Sequence, residues 1–397
     1  MDDNSWEHVF MEDVKGYVEE HGVSGIEDFF KTKLGRWKDV EINIGVTGNS
    51  GVGKSSFINA IRGLREDDED AAETGVTETT MMATSYPHPT NPKIIFWDLP
   101  GIGTPNYPDL PTYCEKVNLE KYDTFLVFTR GRFTQNDLIL AKKVISIDKS
   151  FFFIRTHIDV DYNNEKRKKA FKEEEMLKKI RTDCWKNFQG IRHGLNEDKV
   201  FLISNHHPTK WDFALLTQSI LDVLPFRQRE CLTLSLGVLT SLSTDILKRK
   251  ADVLRGRIWM IATASAVGAL VPLPGLSIAV DVTLITREMN FYKFQLGLPD
   301  ENSQEFNMLT PAQQNLVRQL CTTSAAQLAK IMATYATSST VEEMVRFVPI
   351  IGSVIAGGIS FTSTYLFLQS CVSQSEKAAL EFLHQANIKS VDDLDID

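Results

Sequence analysis

Eight residues, Gly48-Asn49-Ser50-Gly51-Val52-Gly53-Lys54-Ser55, constrain this chain more than any other feature. They follow an apolar run, Ile42 to Val46, and lead into a helical one, Phe57-Ile58-Asn59-Ala60-Ile61. Between a strand and a helix, such glycines let the backbone curl until successive N–H groups converge, and the helix N-terminus adds its positive end. The implied ligand is a chain of phosphates. On this reading Asn49, Ser50, Gly51, Val52, Gly53 and Ser56 line the cradle, Lys54 neutralises the β- and γ-phosphates, and the Ser55 hydroxyl ligates Mg²⁺.

Three further segments fall in the order such a site requires. Asp98-Leu99-Pro100-Gly101 ends the apolar run Ile94 to Trp97, which places Asp98 in the Mg²⁺ shell and the Gly101 N–H at the γ-phosphate. Thr156-His157-Ile158-Asp159 follows the run Phe151 to Ile154. A carboxylate there accepts both N1–H and the 2-amino group of guanine, a donor pair that adenine lacks, so Asp159 is read as the base selector. His157 stands where a lysine stem usually packs over the base, and its ring can stack instead. Ser204-Asn205, after Val200 to Ile203, fits the last base-contacting loop.

From about Val40 to Pro225 short apolar runs alternate with amphipathic ones, the pattern of a parallel sheet with crossover helices. Strands are predicted near 40–47, 81–87, 93–98, 123–129, 150–155 and 200–204, and helices over 54–63, 134–147, 166–188 and 211–223. Thr134 and Asp137 have the spacing of a capping signal, as do Thr310 and Gln313 flanking Pro311. Beyond Pro225 the periodicity is helical, and the opening residues, with Trp6, Val9, Phe10 and Val14 on one face, are expected to pack on the C-terminal helices. The expected fold is a P-loop α/β domain, 39–227, inserted in an all-α domain made of 1–38 and 228–397.

Composition removes several alternatives. A formal charge of −9 offers no broad basic surface for a nucleic acid, and five scattered cysteines without C-x-x-C spacing suggest neither zinc nor a disulfide framework. The acidic start has no signal-peptide pattern, Asp2 stands where myristoylation needs glycine, and a cytoplasmic protein is expected. Two stretches without acidic or basic residues, Ile258 to Val280 and Phe347 to Ser375, carry Val271-Pro272-Leu273-Pro274-Gly275 and Val348-Pro349-Ile350-Ile351-Gly352. Two readings stand for them: bent helices buried in a bundle, or shallow membrane insertion beside the basic cluster Lys248, Arg249, Lys250, Arg255 and Arg257.

These segments, together with Thr74-Gly75-Val76-Thr77-Glu78-Thr79-Thr80 and Phe96 to Gly103, resemble the immunity-related, interferon-inducible GTPases over nearly the whole chain. The resemblance implies a Ras-like GTPase domain between N- and C-terminal helices and GTP hydrolysis to GDP promoted by self-association. It also implies intracellular membranes and related GTPases as partners in innate, cell-autonomous defence, and gives Glu78 a switch role in that hydrolysis. Gly53-Lys54-Ser55 matches the effector group rather than the regulatory one, while His157 departs from the usual lysine.

Position 102, just past the Gly101 turn, holds isoleucine where Ras-type enzymes carry a water-orienting glutamine. Isoleucine orients no water, so Glu78, a second copy of the chain, or both are expected to supply that function. Three readings remain open at this point: a GTPase that assembles on membranes, a nucleotide-gated interaction protein with negligible hydrolysis, and a P-loop ATPase in which Asp159 is incidental.

Overall fold

A computed structural model describes residues 5–22, 25–75, 82–104, 106–186, 200–237, 243–269, 276–321 and 355–392. Two compact units emerge, Trp37–Ile246 and the pair of segments Met1–Arg36 and Leu247–Asp397.

In the first unit six strands form one sheet: β1 (Ile42–Gly48), β2 (Thr84–His88), β3 (Asn91–Asp98), β4 (Thr124–Thr129), β5 (Ser150–Arg155) and β6 (Val200–Leu202). Their order is β2-β3-β1-β4-β5-β6. Both faces are covered, which explains why β1 and β4 are buried at every position and read as continuous apolar runs rather than alternating ones. Alternate residues of β4 serve opposite cores: Leu126 and Phe128 pack with Phe57, Ile58 and Leu216, while Phe125 and Val127 pack with Tyr113, Leu140 and Val144.

The sequence pattern predicts a wholly parallel sheet, and the structure departs from it at one edge. β2 runs antiparallel to β3, whereas the other neighbouring strands are parallel. Only Pro89 and Thr90 separate β2 from β3, too short a link for a crossover.

Helices of this unit are α3 (Lys54–Arg62), α4 (Leu110–Val117), α5 (Gln135–Ser146), α6 (Ile158–Glu165), α7 (Glu173–Lys186), α8 (Phe213–Val223) and α9 (Phe226–Ser235), numbered after α1 and α2 of the other unit. The cap predicted at α5 forms in full, with Thr134 Oγ1 accepting from the Asp137 N–H and the Asp137 carboxylate accepting from the Thr134 N–H. The helix predicted over 166–188 begins only at Glu173, as α7, and α6 precedes it where no helix was predicted. Between them lies Lys166-Arg167-Lys168-Lys169, whose charges would oppose the positive end of a helix dipole; Glu173-Glu174-Glu175 suits a first turn instead. Helix α4 was not legible from periodicity, although Asp109 caps it by accepting from the Thr112 N–H at 2.9 Å.

The α/β unit also runs past the expected limit of 227. Cys231, Leu232, Leu236 and Ile246 belong to the same core as Ile44 and Phe57. An amphipathic pattern declares that a helix buries one face, not which core receives it.

The helical unit comprises α1 (Ser5–His21), α2 (Ile26–Gly35), α10 (Thr244–Ala269), α11 (Leu276–Gln295), α12 (Gln304–Asn307), α13 (Pro311–Cys321) and α14 (Ile355–Asp392), its compact part starting within α10 at Leu247. Phe10, Val14, Ile26 and Phe30 pack against Ala264, Val267 and Leu284, and Met11 meets Ala262, Ala266 and Phe361. The N-terminal segment thus shares a core with the C-terminal helices, as expected. Trp6 and Val9 of the predicted face, and both Pro-Gly segments, lie outside the residues whose side chains are described.

The basic cluster is divided between surface and core, with Lys248 exposed and two of its cations inside. Lys250 is 1% exposed and Arg257 4% exposed. Arg257 Nε donates to Glu288 Oε1 at 2.9 Å and its Nη1 to the Leu34 carbonyl at 3.0 Å, while Arg255 pairs with Asp252 and Glu376. Ile258, Ile261, Ala262 and Ala266 of the uncharged stretch are buried as well. Among the described residues no helix is long and apolar enough to cross a membrane.

Candidate functional site

The sheet order reverses direction at β1, whose neighbours are β3 and β4. In open α/β sheets a crevice forms outside the carboxyl end of such a strand. Gly48 closes β1 at that point with φ 143°, and a Cβ there would lie 2.3 Å from the Phe128 carbonyl oxygen, so only glycine fits. Gly53, at φ 87°, turns the chain into α3.

Lys54, at the start of α3, is buried beneath the loop. Its Nζ donates to the carbonyls of Gly48 at 3.1 Å and Asn49 at 3.3 Å and lies 3.9 Å from Asp98 Oδ1. Ser55 Oγ donates to Asp98 Oδ2 at 3.1 Å. The hydroxyl and carboxylate singled out 43 residues apart in sequence therefore meet. Gly101 lies against the loop, since a Cβ on it would stand 3.2 Å from the Gly48 carbonyl and 3.7 Å from Asn49 Cα.

Two side chains tie the other sequence-predicted segments to the same loop. Thr156, fully buried after β5, donates from Oγ1 to the Val52 carbonyl at 2.8 Å. Asn205 Nδ2 donates to the Gly53 carbonyl at 2.9 Å. Ser204 Oγ and Asn205 Oδ1 are buried atoms without a protein hydrogen-bond partner, which is the state a ligand or water would satisfy. His157 has φ 59°, a left-handed conformation rare for residues other than glycine, asparagine, aspartate and histidine. Its ring reaches the loop, with Cε1 3.6 Å from where a Gly53 Cβ would be. Burial pushes its pKa below the usual histidine value.

The model of the family described as interferon-inducible GTPase matches residues 7–385. The chain belongs to this family. The rat protein interferon-inducible GTPase 5 is 33% identical over 356 residues, covering 87% of this chain and 76% of its own length. Mouse interferon-inducible GTPase 1 is 36% identical over 265 residues, 66% of this chain and 63% of its own. Among solved structures, a probable GTP-binding protein engB covers 46% of this chain and 97% of its own at 12% identity and a TM-score of 0.29, too distant to add to the assignment.

In this interferon-inducible GTPase the base-side features were only partly legible. Asp159 occupies the first turn of α6 and is partly exposed beside His157. The preceding Arg155 is fixed by Asp161 at 2.7 Å and by the Thr156 carbonyl, which holds the turn from β5 into α6. A cavity of about 290 Å³ adjoins α3, lined in part by Ser56, Asn59, Arg65, Glu66, Asn205 and His206. Ser56 Oγ donates to Glu66 Oε1 at 3.2 Å. Arg65, Glu66 and His206 belong to no motif, and nothing in their spacing marks them; only the fold brings them to the cavity. Ile102 is half-buried against the core containing Leu99 and Tyr113, and its carbonyl accepts from Asn136 at 3.2 Å. Glu78 lies outside the described residues.

Proposed function

We propose that this chain binds guanine nucleotide with Mg²⁺ and hydrolyses GTP to GDP, with a second copy of the chain completing the catalytic arrangement. The carrying observation is the pair of bonds from Thr156 to Val52 and from Asn205 to Gly53, which seat the base-reading loops on the rim of the phosphate loop. One nucleotide can then engage both. The N–H groups of Gly51, Val52 and Gly53 face its phosphates, Lys54 balances their charge, and Asp159 accepts from the guanine edge. On this proposal the nucleoside half lies toward the cavity that Ser56 and Asn205 border.

Ser55 Oγ and Asp98 Oδ2 are hard oxygen donors 3.1 Å apart and suit Mg²⁺, which prefers a few protein oxygens with phosphate and water completing an octahedron. Two protein oxygens leave most of such a shell to phosphate oxygens and water. Mg²⁺ held by Ser55 and Asp98 would supply charge neutralisation for the phosphates. Lys54 and the Gly101 N–H stabilise the charge that develops as water attacks the γ-phosphorus and the bond to the bridging oxygen breaks. GDP leaves with that electron pair, and the attacking water's proton goes to the released inorganic phosphate.

The water lacks a positioning side chain at residue 102, because Ile102 packs into the core. This favours slow turnover by an isolated copy, and it is also the observation that favours the second reading, a nucleotide-gated interaction protein with negligible hydrolysis. Membership of the family extends the proposal to innate defence at intracellular membranes, in company with related GTPases. Turnover per enzyme measured over a roughly hundredfold concentration range, with GTP and ATP, separates the cases. A rise with concentration for GTP alone supports assembly-promoted GTPase action, a flat and negligible rate supports gating, and equal use of ATP removes Asp159 as selector.

A further inference from the structure

The Thr156 hydroxyl has one proton and three polar neighbours. Its oxygen lies 2.8 Å from the Val52 carbonyl, 3.2 Å from the Thr129 carbonyl and 2.8 Å from His157 Nδ1. Both carbonyls can only accept, so the hydroxyl proton is directed between them, and toward the imidazole the hydroxyl can only accept. Its remaining lone pair therefore meets an N–H on Nδ1. A bare Nδ1 would set two lone pairs face to face at 2.8 Å while the Thr156 side chain is fully buried. The neutral ring consequently leaves Nε2 as the proton-accepting atom.

Four elements place charged or titratable groups around that ring: Arg130 after β4, Arg155 at the end of β5, Asp159 in α6 and His206 after β6. Burial, and then the cations, disfavour a second proton, and only Asp159 favours it. Nucleotide changes this balance, because its phosphates bring several negative charges to the loop that the ring already touches at Gly53. A lysine in the same place would be charged at every physiological pH and could not respond.

We propose that His157 couples proton uptake to guanine-nucleotide binding: Nδ1 holds its proton against Thr156, and a second proton at Nε2 strengthens the complex. This rests on the guanine-site reading above. Reciprocity requires that nucleotide make the imidazole more basic by the same factor by which acidification tightens binding. A coupling of half to one pKa unit corresponds to about three- to tenfold in affinity.

The test joins affinity for a fluorescent GDP analogue between about pH 8 and 5.5 with histidine ¹⁵N spectra of the nucleotide-free chain. His157→Asn keeps a residue suited to the left-handed backbone without a titrating ring, and His157→Lys keeps a permanent charge. The expected result is a wild-type affinity that rises on acidification about three- to tenfold more than in either variant, with the His157 proton on Nδ1 at pH 8. Equal pH profiles in wild type and His157→Asn overturn the coupling, and a proton on Nε2 overturns the tautomer. A wild-type chain that binds no guanine nucleotide at any pH overturns the site reading and the coupling with it, while the spectra still report the tautomer. Thermal melts of both variants identify any that do not fold.

Discussion

The two units bury polar groups in different ways. In the α/β unit Lys54, Asp98, Thr156 and Ser204 are buried at the carboxyl ends of the strands, where they converge on one loop. In the helical unit Lys250, Arg257 and Glu288 are buried between helices, where Arg257 joins α10 to α11 and to the Leu34 carbonyl. In the first set Ser204 Oγ has no protein hydrogen-bond partner, whereas Lys250, Arg257 and Glu288 are all paired. The second is spent on the architecture. Buried charge alone therefore does not announce a site; what distinguishes the two is whether the groups gather at a loop beyond the strand ends or are closed in between helices.

The sharpest way to break this comparison is Lys54→Ala beside Glu288→Ala. Lys54→Ala should abolish nucleotide binding with little change in melting temperature, since it removes the charge facing the phosphates and leaves the loop glycines in place. Unchanged affinity in nucleotide titration would show that the α/β set is structural after all. Glu288→Ala should leave nucleotide affinity intact and destabilise the chain by about 3–5 kcal/mol in denaturant unfolding, the cost of stranding a buried guanidinium. A loss of nucleotide binding without destabilisation would reverse the two roles.

Lys250 sharpens the comparison through pH. Its Nζ donates to the Gln295 carbonyl and Oε1 at 3.3 and 3.2 Å, and burial pushes its pKa down to about 7. Between that value and the unfolded one the unfolded chain binds more protons, so stability should rise with pH across this window, by up to about 1.4 kcal/mol per unit. Denaturant unfolding of wild type against Lys250→Met from neutral to alkaline pH checks this, with the slope expected to flatten in the variant. A pH profile identical in both would mean that Lys250 is solvated in the folded state.

A smaller effect is expected from Asp159→Asn, which places a donor opposite the guanine amino group. Preference for GTP over ATP should fall by more than about tenfold, as losing one charge-assisted hydrogen bond costs a few kcal/mol at most. Xanthine nucleotide, which accepts where guanine donates, should gain in relative terms. Competition binding with all three nucleotides reads this directly, and full retention of guanine selectivity would remove Asp159 from the reader's role.

The candidate site is written in the sequence to a large extent because its elements obey local rules. Glycines at 48, 51 and 53, a lysine and hydroxyl opening a helix, and a carboxylate ending an apolar strand need no knowledge of the rest of the fold. The capping box at Thr134 was legible for the same reason, being closed within four residues. Legibility failed where a decision belonged to distant partners. The pattern of α9 shows an apolar face, yet only packing assigns Cys231 and Leu232 to the sheet's core. The cluster Lys248 to Arg257 reads as a basic surface, yet Glu288 and Gln295, far along the chain, take two of its cations inside.

The amino-acid sequence by itself determined the phosphate loop, its lysine and hydroxyl, the Asp98 and Asp159 carboxylates and the order in which they are presented, because each is encoded in a few consecutive residues whose backbone geometry is self-contained. Tertiary structure alone decided that Ser55 meets Asp98, that Ile102 faces the core, that Arg65, Glu66 and His206 border a cavity, and that the Thr156 hydroxyl sits among two carbonyls and the His157 ring. The last depends on two carbonyl oxygens, from Val52 and Thr129, brought to one hydroxyl from 104 and 27 residues away. Hydrogen-bond direction follows from who the neighbours are, and neighbours at that separation exist only once the sheet has formed.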